Sequence, residues 1–220
     1  MKDCGVAGYM IELASWAPHT QQPWTEEWIE MVRKEYHYLL KECRKRDLWL
    51  FVSIVNDNMG KGKYSDTGPA LEKVYNYALQ LANIVKQHGA KCVIIQPVAE
   101  TNTEAGMRFE KDCLQLLEEF TLVYNGDYGS PKETPAEYDF RAIHPSHITS
   151  NVPSDAFIIS DHGLIIRELS INDDVESQGD PKKVKDWRDR LSAHGVPIVG
   201  YYAFKYEKFD PDTIRALGTK

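Results

Sequence analysis

Apolar positions along this chain follow two periods that take turns. Val6–Ser15, centred on Tyr9-Met10-Ile11, reads as a strand. Thr25–Lys45 then reads as an amphipathic helix, with Thr25 placed to cap it, Glu26 and Glu27 in its first turn and Arg44-Lys45-Arg46 at its end. Leu48–Val55 is an almost unbroken apolar run, the pattern of a strand buried on both faces. Pro69–Gln87 returns to helical spacing, with Leu71, Val74, Tyr75, Ala78, Leu81, Ala82 and Val85 on one stripe. Cys92–Val98 predicts a strand, Met107–Phe120 a helix and Thr121–Tyr124 a short strand. A loop rich in Gly, Pro and Ser spans 127–137, and short strands are predicted at Phe140–Ile143 and Ala156–Ser160. A helix starting at Asp180-Pro181 runs to Ala193, and Val196–Phe204 is the last strand. Two helix exits match: His88-Gly89 and His194-Gly195 each put a glycine where a left-handed residue ends a helix.

Strands that alternate with helices imply a parallel sheet, either open and doubly wound or closed as a barrel. The open alternative calls for a glycine-rich phosphate loop after the first strand, and Ala14-Ser15-Trp16-Ala17-Pro18 stands there instead. The barrel alternative calls for polar residues at the carboxyl ends of the strands, and nearly every one has them. A full barrel takes roughly 250 residues, and this chain has 220. The expectation is therefore an α/β, (β/α)8 TIM-barrel-like fold lacking its first strand, with residues 1–220 as a single domain. The open seam of such a barrel would expose a strand edge, which predicts a homo-oligomer paired across it.

Composition narrows the class further. With 42% hydrophobic and 27% charged residues the chain is of globular type. Mean hydropathy is −0.47 and no apolar run approaches the ~18 residues of a membrane span, so no membrane partner is expected. Gly5–Leu13 is too short and lacks the basic flank of a signal peptide, which favours a cytoplasmic setting. A net charge of −7 argues against a nucleic-acid partner. Cys4, Cys43, Cys92 and Cys113 form no C-x-x-C pair, and their expected role is that of small buried hydrophobes.

The strand ends, read in order, carry Glu12, Asn56, Asp57, Asn58, Glu100, Asn125, Asp127, His144, His147, Asp161, His162, Tyr202, Phe204 and Lys205. Alternation along Cys92–Glu100 puts Gln96 and Glu100 on the same face. Trp16, Trp24, Tyr64, Tyr128, Tyr138 and Tyr202 sit at or beyond strand ends, where flat rings can stack on a sugar. Trp28, Trp49 and Trp187 fall on helical or strand patterns and are expected in the core.

The segment Val93-Ile94-Ile95-Gln96-Pro97-Val98-Ala99-Glu100-Thr101-Asn102 resembles the fourth strand of clan A glycoside hydrolases, the cellulase-like retaining glycosidases built on (β/α)8 barrels. Ala156–Gly163 then falls at the seventh strand, and Gly200-Tyr201-Tyr202-Ala203-Phe204 resembles the eighth. The resemblance implies hydrolysis of a poly- or oligosaccharide, with Glu100 as acid/base and Asp161 as nucleophile or as the base that activates water. It also implies a carbohydrate substrate held by Glu12, Trp16, Asn56, Gln96, Asn125, His144 and Tyr202. Ala99 stands where the family has asparagine, and Asp161 where it has glutamate. Two alternatives stay open. One is a barrel without catalysis that binds carbohydrate or serves as structure. The other is a metal-dependent isomerase or hydrolase built on His144, His147, Asp161, His162 and Glu100 with zinc or manganese. His144-Pro145-Ser146-His147 lacks the helical spacing that holds two ligands on one face, so no metal and no cofactor are expected.

Overall fold

The computed structural model describes residues 8–15, 24–56, 69–99, 104–124, 136–143, 164–169 and 198–203. They divide into two compact units, one spanning Gly8–Ser130 and the other made of Met1–Ala7 with Pro131–Lys220.

In the first unit the order is β1 (Gly8–Ser15), α1 (Glu26–Lys45), β2 (Trp49–Asn56), α2 (Pro69–Gln87), β3 (Val93–Ala99), α3 (Glu104–Leu116) and β4 (Thr121–Tyr124). Thr25 caps α1 as its sequence suggests, its hydroxyl accepting from the Trp28 amide at 3.2 Å. The same helix ends in a Schellman motif: the Leu48 amide donates to the Cys43 carbonyl at 2.9 Å and the Asp47 amide to that of Arg44 at 3.3 Å. Asp47 takes the left-handed position, with φ 53°. Gly89 plays that part after α2 with φ 74°, as the His88-Gly89 pattern predicts. The matching exit at 194–195 lies outside the described residues.

β1, β2, β3 and β4 pair in sequence order, all parallel. Crossovers between neighbouring parallel strands are right-handed, so α1, α2 and α3 all fall on one side of this sheet. That is the singly wound arrangement of a barrel and excludes the reversal of a doubly wound fold within this unit. The two faces of the sheet differ in chemistry. Leu50, Val52, Ile54, Val93 and Ile95 form an apolar face at 0–1% exposure. The buried stripe of α1 (Ile29, Val32, Tyr36, Leu40 and Cys43) is of the same character, as are Leu81, Ile84 and Val85 of α2. The other face carries Glu12, Ser53 and Gln96, which share one register across β1, β2 and β3. Pro97 has no amide to donate, and the described β3–β4 pairs stop short of it, at Ile94 and Ile95.

Polar side chains join the helices. The Arg44 guanidinium donates to the carbonyls of His88, Gly89 and Lys91 at 2.8, 3.2 and 3.2 Å, tying the end of α1 to the exit of α2. Arg108 of α3 lies 4.1 Å from the Tyr75 ring centre and bonds Glu72 of α2 at 3.1 Å. Tyr75 also bonds Asp112, and burial first, then that bond, pushes its hydroxyl up to about 12.

The second unit contains β5 (Phe140–Ile143), β6 (Leu164–Leu169) and β7 (Ile198–Ala203), parallel in the order β5-β6-β7. β6 has no counterpart in the expected strands. The strand expected at Ala156–Ser160 and the helix expected up to Ala193 lie outside the described residues.

Two aromatic expectations change places. Trp49, assigned to the core, is 48% exposed at the start of β2, whereas Trp24 and Tyr138, assigned to a sugar-facing rim, are 8% and 2% exposed. Trp24 packs edge-on against Trp28 at 5.2 Å, and an indole spent on its own helix is not a stacking platform. Cys43 and Cys113 are buried, as expected of small hydrophobes, whereas Cys92, at the positive-φ entry to β3, is only half-buried; Cys4 lies outside the described residues. Among the described residues no helix is long and apolar enough to cross a membrane.

Candidate active site

A parallel sheet with its helices on one side offers its carboxyl edge to ligands, because strand ends and the loops that follow them converge there. In the first unit that edge is level: Ser15, Asn56 and Ala99 share one register at the ends of β1, β2 and β3. Glu12 and Asn56 are brought together. The Asn56 amide nitrogen donates to Glu12 Oε2 at 3.0 Å, and the carboxylate stays exposed. Glu12 is thereby an oriented acceptor on an edge strand, suited to receive a hydroxyl from a ligand.

Gln96, expected among the substrate contacts, lies within β3. It is fully buried three residues before the end of β3, and its Nε2 donates to Ser53 Oγ at 3.3 Å. Its Oε1 has no hydrogen-bond partner among the described residues. Ser53 was not singled out in the sequence, although a lone hydroxyl in the run Leu50-Phe51-Val52-Ser53-Ile54-Val55 was the signal available. Together Ser53 and Gln96 make a polar layer inside the sheet face that bears Glu12, at the same register.

Glu100 follows directly on Ala99, the last residue of β3, and itself lies outside the described residues. So do Trp16, Asn125, His144 and Asp161, along with His147 and His162 of the metal alternative. Among the described residues no group of three or more His, Cys, Asp or Glu is placed to hold a metal ion. Tyr202 is the last residue but one of β7.

β6 adds a carboxylate that the sequence pattern missed. Glu168 is the last residue but one of β6, and Leu169 pairs with Ala203. Glu168 and Tyr202 both lie near the carboxyl ends of these neighbouring strands, whose register shifts between Ile166 and Leu169. The run Leu164-Ile165-Ile166 was the available signal; Arg167 and Glu168 interrupt it and hid the strand.

No family model matches the chain, and no curated protein sequence matches it. Solved structures do. The chain is similar to a Bacteroides ovatus GH5 xyloglucanase in complex with a XXXG heptasaccharide, at TM-score 0.59 and 11% identity over 98% of this chain. It spans 65% of that enzyme's length. It is also similar to Thermotoga maritima Cel5A in complex with cellobiose, at TM-score 0.58 and 12% identity, covering 98% of this chain and 87% of that one. A third likeness is to the cellulose synthase subunit Z of Clostridioides difficile, at TM-score 0.59 and 12% identity, covering 98% and 89%. At such identities what is shared is the architecture: the chain has the α/β, TIM-barrel-like fold of the GH5 glycoside hydrolases of clan A.

Proposed function

We propose that this protein hydrolyses glycosidic bonds in a poly- or oligosaccharide, with Glu100 as the acid/base. The observation that carries this is β3, a parallel strand of the barrel type described through Ala99, which Glu100 follows directly in the sequence. The reaction needs two carboxyls, one protonated to release the leaving oxygen and one ionised to attack the sugar carbon or activate water. Asp161 is the second carboxylate by family resemblance. Glu168 is its competitor, supported by its position next to the carboxyl end of β6. Glu12, steadied by Asn56, receives a sugar hydroxyl. Trp16, Asn125, His144 and Tyr202 complete the substrate contacts, and no metal or cofactor takes part.

The test compares Glu100→Gln, Asp161→Asn and Glu168→Gln on β-glucan, xyloglucan and activated aryl glycosides. Loss of the acid should cost ~10²–10⁴-fold on the polysaccharides and little on aryl glycosides whose leaving group needs no proton. The true second carboxylate is the one whose removal abolishes both activities. Wild-type protein that binds these glycans but cleaves none would leave a carbohydrate-binding barrel without catalysis.

The proposal extends to organisation. Residues 1–220 form one domain, and β1, an edge strand of its unit, pairs across copies in a homo-oligomer. A single cooperative melt and a sedimentation mass above one chain are the expected results.

A further inference from the structure

Away from the strand ends, two imidazoles meet between α1 and the exit of α2. The ring centres of His37 and His88 are 5.0 Å apart, with their planes at 45°. His37 is exposed on α1 and His88 half-buried in the turn after α2. The backbone around His88 is held: its amide donates to the Val85 carbonyl at 3.2 Å and its carbonyl accepts from Arg44 at 2.8 Å. Its ring also rests 5.6 Å from that of the buried Tyr36.

We propose that His37 and His88 form a two-imidazole site for a borderline divalent transition metal, of the class of Cu²⁺, Ni²⁺ or Zn²⁺. The geometry is the argument. A metal sits about 2.0–2.1 Å from an imidazole nitrogen and so about 3.2 Å from the ring centre. Two such rings at ligand angles of about 90–110° have centres about 4.5–5.2 Å apart. The observed separation falls inside that range before any metal is added. Imidazole donors suit these ions and not Mg²⁺ or Ca²⁺, which take oxygen. Water fills the remaining positions, since His37 is exposed.

Arg44 is engaged with three backbone carbonyls, and Arg33 with Gln87 at 3.0 Å and Glu30 at 3.2 Å. Burial first, and then the nearness of His37, Arg44 and Arg33, lower the pKa of His88. Bound there, the ion would link α1 to the α2–β3 turn and stabilise the fold by mass action. It has no part in the glycosidase reading.

The experiment uses the full untagged chain at pH 7.5. Its melting temperature is followed against rising NiCl₂, CuCl₂ or ZnCl₂, with MgCl₂ as control. The wild type should show a dose-dependent rise with the three transition metals and none with Mg²⁺. Both His37→Gln and His88→Gln should weaken binding at least ~10-fold. His37 is exposed, so His37→Gln keeps the fold and carries the test even if His88→Gln does not fold. The Cu²⁺ electron paramagnetic resonance spectrum should report two nitrogen ligands in the wild type and fewer in His37→Gln. No rise with any of the three metals, or a rise that survives His37→Gln undiminished, overturns the proposal.

Discussion

Arg44→Met removes one guanidinium and leaves three carbonyls without their donor. The bonds to His88 and Gly89, at 2.8 and 3.2 Å, are partly buried, while the third, to Lys91, is exposed. Hydrogen bonds to a charged group are worth about 1.5–3 kcal/mol each. The two partly buried ones dominate, and because they share one side chain their losses do not add in full. Water can also reach part of the vacated site. The expected cost is about 2–4 kcal/mol, in which the favourable position of a cation at the α2 carboxyl end is included. At this chain length 1 kcal/mol moves the melting midpoint by roughly 2–4 °C, so Arg44→Met should melt roughly 4–16 °C below the wild type. Methionine keeps the apolar stem, which separates lost hydrogen bonds from lost packing. Arg44→Lys should fall between the two, since one ammonium cannot match the guanidinium fork. The control is Arg46→Met: that side chain pairs with Glu42 one turn away on an exposed surface, and its midpoint should hardly move. Calorimetry or circular dichroism reads all three. If Arg44→Met melts with the wild type, the α1–α2 tie carries no stability and the reasoning fails.

Asp47 sits at φ 53°, where glycine is at ease and a Cβ is not. Asp47→Gly should therefore exceed Asp47→Ala in stability by about 1 kcal/mol, and equal denaturation midpoints would refute the assignment. Both variants lack the carboxylate, so their difference isolates the backbone. A Cβ on Gly8 would lie 2.2 Å from the Trp49 carbonyl oxygen, so Gly8→Ala should cost about 1–3 kcal/mol as β1 and β2 move apart; urea titration decides. The pKa of His88 is lowered by folding, chiefly by burial. Between that lowered value and the ordinary ~6.5, the unfolded chain therefore holds a proton that the folded chain does not. Its contribution is complete above ~6.5 and is lost as pH falls below that value, and His88→Gln should flatten stability against pH in this window.

How much of this was legible depends on how local each signal is. The helices were legible because caps and stripes are local: Thr25, the Arg44-Lys45 end and Gly89 do what their residue types require. α3 begins at Glu104, earlier than its apolar stripe predicts, because an acidic first turn is favourable without being apolar. β6 escaped because Arg167 and Glu168 occupy a third of its six positions. Exposure of aromatics was not legible at all. Whether Trp24 or Trp49 faces solvent depends on which residues of other elements lie against them, and period alone does not encode that.

The polar layer of Ser53 and Gln96 bears on why the two faces of one sheet differ. One face has no polar side chain among Leu50, Val52, Ile54, Val93 and Ile95, all at 0–1% exposure. The opposite face tolerates a serine and a glutamine at 0% exposure, with one glutamine oxygen unpartnered among the described residues. An orphaned buried acceptor costs about 1–3 kcal/mol, and an isosteric apolar pair would remove that cost. Stability alone therefore does not account for Gln96. On the proposed glycosidase reading its register is the link: the same row across the sheet ends at Glu12, the oriented carboxylate of the edge strand. A face that must present carboxylates and amides at its carboxyl edge is better supported from within by amides and hydroxyls than by hydrocarbon, which would leave the ends of such groups unsolvated. The sheet gives up stability at Ser53 and Gln96 and recovers it on its wholly apolar face.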